Sequence, residues 1–168
     1  MTTPGTHTRE HTVPTEPIPL PARKHPAHGV LASNAPTIVF LTVCTKNRVP
    51  WLADPLVHTT LLQVWAESRA WLVGRYVLMP DHLHLFATPG ELDVPFDNWV
   101  RYWKSQFTKR HRVRDHAWQT DHWDRRVRRE EGYDAAWEYV VNNPVRKGLV
   151  ARAEEWLFQG ALFELRWD

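Results

Sequence analysis

The chain has 168 residues, the size of one ordinary domain, and carries a formal net charge of +2 at pH 7. Hydrophobic residues make up 43% of it and charged residues 24%, a composition that excludes a fully disordered protein. The sequence has no apolar run long enough to span a membrane, and residues 1–10 lack the apolar core of a secretory signal. The single cysteine, Cys44, excludes a disulfide framework and a multi-cysteine zinc site. We therefore expect a cytoplasmic protein without a membrane partner.

Residues 1–36 contain seven of the thirteen prolines and no periodic apolar pattern, which predicts a flexible proline-rich arm. The pattern of a folded domain begins at residue 37, and we expect this domain to extend over 37–168. In chain order its predicted elements are a strand at 37–45, a helix at 55–70, strands at 71–79 and 82–88, a helix at 97–112, a loop leading into a strand within 118–128, and a helix at 132–143. Residues 156–165 are expected to add a terminal strand or to pack beneath the sheet.

The predicted order of elements, β-α-β-β-α-β-α, is the split βαβ arrangement of ferredoxin-like domains. Local signals support its boundaries: Asp54 precedes Pro55 as a helix N-cap, and Pro80 and Asp81 form a tight turn between two strands. We therefore predict an α+β fold, a ferredoxin-like sheet with helices on one face.

Positive charge is concentrated in residues 101–129, which contain ten lysines and arginines against three acidic residues, interleaved with aromatic side chains. Cationic groups attract phosphates and exposed rings stack on bases, so the segment predicts single-stranded nucleic acid as a partner. The candidate DNA-binding residues on the second helix are Arg101, Lys104 and Thr108, and those near the following strand are Arg125, Arg126 and Arg128. The alternatives are a solvated basic face and, near the strand, ion pairs with Asp121 or Asp124 that close the loop.

His82 and His84 are two residues apart in a predicted apolar strand, so both imidazoles project from the same face and can reach one metal ion. Histidines of the core that are satisfied by hydrogen bonds are the alternative. Tyr139 and Asn143 are four residues apart on a predicted helix and share one of its faces. A tyrosine can attack phosphorus, and an amide can complete a metal site. The simpler interpretations are a core aromatic residue and a helix cap.

Three segments occur in an informative order: LMPDHLHLF at 78–86, WQTDHWDRRVR at 118–128 and YVVNNPVRKGLV at 139–150. Together they resemble the single-tyrosine HUH transposases, in the branch associated with repetitive extragenic palindromes (REP). The resemblance covers about residues 37–150. It implies a ferredoxin-like endonuclease and strand transferase of single-stranded DNA, which acts near hairpins as a monomer or homodimer and forms a 5′-phosphotyrosine intermediate.

The resemblance also implies roles for single residues. His82, His84 and Asn143 match the ligands of a Mg²⁺ or Mn²⁺ ion, and Tyr139 matches the nucleophile. A competing pair, Tyr102 and Gln106, has the tyrosine-to-glutamine spacing of other single-tyrosine members; we prefer Tyr139 because of the motif that surrounds it. Two other classes of function stay open: a nucleic-acid-binding module without catalysis, and a metal-dependent phosphodiesterase that activates water.

Overall fold

The computed structural model describes residues 37–129 and 132–166; the arm predicted at 1–36 lies outside them. Five strands form one antiparallel sheet in the order β4-β1-β3-β2-β5. The strands are β1 (Val39–Cys44), β2 (Trp71–Leu78), β3 (His82–Pro89), β4 (Trp123–Arg126) and β5 (Gln159–Ala161). The helices are α1 (Pro55–Glu67), α2 (Phe96–His111), α3 (Tyr133–Val141) and the short α4 (Asn143–Arg146). The chain order β1-α1-β2-β3-α2-β4-α3 confirms the predicted ferredoxin-like order of elements.

The predicted boundary signals act as expected at two places. An oxygen of Asp54 accepts hydrogen bonds from the backbone amides of Leu56 and Val57, at 2.8 and 3.1 Å, and so caps the start of α1. The turn between β2 and β3 is tight because the amide of Met79 donates to the carbonyl of His82 at 2.8 Å. This turn fixes the register of β3, and therefore which of its side chains point to each face.

Side chains alternate between the two faces of the sheet, and each face has its own core. Leu41, Leu83 and Leu85 point to the face covered by α1 and α2, where the core is rich in tryptophan. The opposite face carries a second cluster, in which Phe40 and Phe86 of the sheet pack with residues of α3. None of the helices in 37–129 and 132–166 is long and apolar enough to cross a membrane.

The prediction that the helices lie on one face is right for α1 and α2 and wrong for α3. Phe40 and Phe86 form an apolar surface on the second face that must be shielded from water, and Ala136 and Val140 of α3 cover it. The sheet therefore separates α2 from α3. This separation decides which helical side chains lie on the same side as the histidines of β3.

The helix predicted at 132–143 is divided in the structure. α3 ends at Val141, and α4 begins at Asn143 with Pro144 in its first turn. Proline disfavours a helical conformation in the residue before it, yet its own fixed φ suits the first turn of a new helix. Asn143 therefore opens the second helix. At the end of the described chain, β5 adds to β2, which confirms one of the two predictions for 156–165.

Candidate active site and nucleic-acid interface

His82 and His84 lie on the sheet face opposite α1 and α2. Their ring centroids are 4.8 Å apart with the ring planes nearly perpendicular, at 80°. In the strand register, Cys44 lies opposite His82 and Thr42 lies opposite His84. The two imidazoles are therefore neighbours on one face, as the spacing predicts.

Each imidazole has a hydrogen-bond partner at Nδ1. His82 Nδ1 lies 2.7 Å from a carboxylate oxygen of Asp81, and His84 Nδ1 lies 2.9 Å from the hydroxyl of Thr42. The other oxygen of Asp81 pairs with Arg48 at 2.8 Å, which holds the carboxylate in place. A partner at Nδ1 fixes the ring and directs Nε2 to a metal, the arrangement found around metal-ligating histidines. The donor set of this pair therefore fits a divalent ion.

Burial keeps both imidazoles neutral. It lowers the pKa of His82, although the carboxylate of Asp81 opposes the effect. The pKa of His84 is lowered to about 3, chiefly by burial and in part by the positive charges of Arg146 and Arg48. A neutral imidazole is the form that binds a metal, so neither ring has to lose a proton at neutral pH.

Tyr139 and Asn143 are joined by Arg146, a residue for which the sequence predicted no role. The guanidinium carbon of Arg146 lies 4.3 Å from the centroid of the Tyr139 ring, and its Nη2 donates a hydrogen bond to Asn143 Oδ1 at 2.6 Å. Tyr139 is 69% exposed, so it is not the core aromatic residue of the simpler interpretation. Val140 of α3 packs in the cluster of Phe40, and Phe40 stacks on His84, so the helix that carries Tyr139 covers the sheet face of the histidines. The helix predicted at 132–143 ends three residues before Arg146, so helical spacing did not point to this residue.

The competing pair lies elsewhere. Tyr102 and Gln106 belong to α2, whose buried residues pack against the face opposite His82 and His84. The sheet stands between α2 and the two imidazoles. The structure therefore brings Tyr139, and not Tyr102, to the side of the histidine pair.

A basic groove of about 690 Å³ lies beside the end of α2. Its lining contains five lysines and arginines and no acidic residue; the basic residues are Arg101, Lys104, Lys109, Arg112 and Arg114. Thr108 also lines the groove, and its hydroxyl donates to the Lys104 carbonyl at 3.0 Å. One wall is the loop 116–120, which is tied to β1 by a hydrogen bond of 2.9 Å from the Gln119 amide to the Cys44 carbonyl. The groove therefore adjoins the end of the sheet that carries His82.

Lys104, predicted as a DNA-binding residue, does not project freely from α2 into solvent. Its side chain is buried, and its ammonium donates to the carbonyls of Gln119 and Thr120, at 2.7 and 3.2 Å. Burial lowers the pKa of Lys104 to about 8. The reason is tertiary: α2 packs against the loop, and the ammonium therefore reaches two carbonyls of the loop. Lys104 therefore shapes the groove wall.

We expect Lys104→Met to lower the free energy of unfolding by about 1–3 kcal/mol, because methionine keeps the apolar stem but removes the hydrogen bonds of the ammonium to two loop carbonyls. Denaturant unfolding measures the change. Lys109→Met, at an exposed position of the same helix, is the matched control and should change stability little. Equal stability of the two variants would contradict a structural role for the Lys104 ammonium.

The arginines of the 125–128 segment are divided between the two faces. Arg125 lies on the side of the histidines, with its guanidinium carbon 5.6 Å from the centroid of the Phe40 ring. Arg126 follows it in β4 and points to the other face, while Arg128 is exposed beyond the strand. Only Arg125 of these three lies on the same face as His84 within β4.

A second group of metal-ligating residues lies on the α2 side of the sheet. His122 Nε2 is 3.0 Å from an oxygen of Asp97 and 3.7 Å from an oxygen of Asp124. The ligand atoms of the three residues are all within 4.8 Å of one another, compact enough to hold an ion. Within the described residues these contacts also connect β4 to the first turn of α2. An ion pair of Asp121 or Asp124 with an arginine was one of the two sequence-based alternatives for this segment, and the approach of Asp124 to His122 was not predicted.

The chain is similar to known proteins in sequence and in fold. No protein-family profile matches the chain. The REP-associated tyrosine transposase of Escherichia coli K12 is 28% identical over 122 residues, which are 71% of this chain and 73% of the relative. A solved structure of a REP-associated tyrosine transposase bound to a REP hairpin superimposes with a TM-score of 0.64 and 27% identity, covering 73% of this chain and 75% of that one. The chain is therefore similar in sequence and in fold to REP-associated tyrosine transposases.

Proposed function

We propose that this chain is a metal-dependent endonuclease and strand transferase of single-stranded DNA that acts beside hairpins. The observation that carries the proposal is the grouping on one sheet face: two neutral histidines with fixed rings, and an exposed tyrosine in contact with an arginine. The relatives that the chain resembles in sequence and fold support the substrate class, since one of them is bound to a REP hairpin.

His82 and His84 would hold a Mg²⁺ or Mn²⁺ ion through Nε2, and Asn143 would complete the ligand set. The bound ion would polarise the scissile phosphate. Asn143 Oδ1 accepts a hydrogen bond from Arg146 in this structure, and the second lone pair of the amide oxygen would be the one that ligates the ion. The other N–H groups of the Arg146 guanidinium would be available to a phosphate oxygen.

Tyr139 supplies the nucleophile. Its phenolic oxygen attacks the phosphorus, a bond forms between them, and the bond from phosphorus to the 3′ oxygen breaks. The phenol loses its proton and the departing oxygen gains one, which leaves a 5′-phosphotyrosine ester and a free 3′-hydroxyl. Attack by a 3′-hydroxyl on the ester reverses the step and rejoins DNA, so strand transfer needs no nucleotide cofactor.

The basic groove would bind the DNA backbone. Its five cationic residues face no acidic residue in the lining, and the groove adjoins the sheet end that carries His82. Phosphates are the groups such a surface attracts. The histidine face of the sheet would then hold the reacting phosphate, and the groove on the α2 side would hold the strand that reaches this face around the end of β1.

We expect Arg101→Ala and Lys109→Ala each to weaken DNA binding and to flatten its salt dependence, by about 0.7 log units per log unit of salt for each single-strand phosphate that is no longer neutralised. Binding titrations over a series of salt concentrations measure this slope. Arg69→Ala removes the same charge from an exposed position outside the groove and should leave the slope unchanged. If all three variants keep the salt dependence of the wild-type protein, the groove is only a solvated surface.

The direct test is incubation of the protein with hairpin DNA that carries single-stranded extensions, in the presence of Mn²⁺. We expect a protein–DNA adduct that survives denaturing electrophoresis. Cleavage without an adduct would instead identify a phosphodiesterase that activates water, and binding without cleavage would identify a binding module.

A further inference from the structure

Trp123 is the most exposed tryptophan among the described residues, with 40% of its surface accessible. The other tryptophans within 37–129 and 132–166 are buried or half-buried. The exposed part of the ring is apolar surface that a stacked ligand could cover. The position of Trp123 indicates what can cover it.

Trp123 lies in a cross-strand row with the proposed metal site. In the register of the sheet, Trp123 of β4 is opposite Thr42 of β1, and Thr42 is opposite His84 of β3. Residues directly opposite one another project from the same face, and neighbouring strands are about 4.8 Å apart. The backbone of Trp123 is therefore about 10 Å from that of His84, two strand spacings along the row.

Aromatic contacts hold the indole in a defined orientation. Its ring meets the Phe40 ring edge to face, with centroids 5.7 Å apart and planes at 78°. Phe40 in turn stacks on His84, at 5.4 Å and 26°. Arg125 brings a cation to the same Phe40 ring, at 5.6 Å. A continuous set of rings and a guanidinium thus leads from His84 to the exposed indole.

We propose that Trp123 is a stacking platform for an unpaired base close to the scissile phosphate. The inference rests on the proposed function, because it takes His84 as the position of the reacting phosphate. Aromatic rings beside cations bind single-stranded nucleic acid by stacking with little preference for sequence. A base inside a duplex is already stacked on both sides. The platform would therefore favour a single-stranded extension next to the hairpin over its paired stem.

The test measures the affinity of the protein for hairpin DNA with thymidine extensions, in EDTA so that no cleavage occurs. One abasic nucleotide is moved through the extension, position by position. For the wild-type protein we expect a loss of about 5- to 100-fold at one position and smaller losses elsewhere. Trp123→Ala should bind the intact DNA correspondingly less tightly and should lose the penalty at that position. Trp123→Phe, which keeps a smaller ring, should restore part of it.

Three outcomes separate this inference from the function on which it rests. If Trp123→Ala shows the same penalty as the wild type at every position, the platform is overturned while the nuclease proposal stands. A variant that loses affinity equally for the hairpin without extensions also contradicts the platform, because the effect is then on the fold or the stem. A wild-type protein that neither binds the DNA nor forms an adduct with Mn²⁺ overturns both proposals.

Discussion

Tyr139→Phe is expected to abolish both DNA cleavage and the covalent adduct, while folding and hairpin binding remain. The substitution removes one oxygen from a side chain that is 69% exposed, so it removes little packing. Phenylalanine offers no atom that can attack phosphorus. Denaturing electrophoresis of labelled hairpin DNA measures the adduct and the cut strand in one experiment, and a binding titration of the same variant checks its affinity.

Tyr102→Phe is the matched control. Tyr102 is also exposed, but it belongs to α2, on the opposite face of the sheet from His82 and His84. This variant should form the adduct at the wild-type rate. If it loses the adduct while Tyr139→Phe retains it, the nucleophile has been assigned to the wrong helix although the type of reaction stands.

His82→Ala and His84→Ala are each expected to lower the rate of adduct formation by more than about 100-fold, because replacement of a ligand should cost more than replacement of its hydrogen-bond partner. Thr42→Val and Asp81→Asn, which change only those partners, should cost about 10- to 100-fold. The measurement is the rate of adduct formation as a function of Mn²⁺ concentration. For the two partner variants, we expect part of the loss to be recovered at high Mn²⁺.

Metal-free binding of the hairpin is the control for this series, and it should be the same in all four variants. Full activity of both alanine variants would exclude the histidine pair as the metal site. The compact group of Asp97, His122 and Asp124 would then be the next donor set to replace.

The period of two in β1 and β3 was enough to place His82 and His84 on one face, because alternation in a strand is set by local geometry. Local patterns also predicted the order of the first four strands and the start of α1. They did not place α3, since the face that a helix covers depends on which apolar surface of the sheet is left open, here that of Phe40 and Phe86. Helical patterning alone carries no information about this choice.

The site was only partly predictable for a similar reason. Lys104 was predicted to contact DNA, but its ammonium donates hydrogen bonds to loop carbonyls. The first of these carbonyls belongs to Gln119, fifteen residues away in the sequence. The partner of His84, Thr42, is forty-two residues away in the sequence and is brought close by strand pairing. Arg146 lies beyond the helix predicted at 132–143, and its contacts with Asn143 and Tyr139 depend on the short helix α4.

Identification of the amino acid that becomes linked to DNA is the decisive measurement for the proposed chemistry. The wild-type protein is incubated with hairpin DNA and Mn²⁺, the adduct is digested with a protease and a nuclease, and the modified peptide is sequenced by mass spectrometry. We expect the nucleotide to be attached to the phenolic oxygen of Tyr139 through a 5′ phosphate. A modification at Tyr102, at any other residue, or through a 3′ phosphate would contradict the proposed nucleophile and the chemistry derived from it.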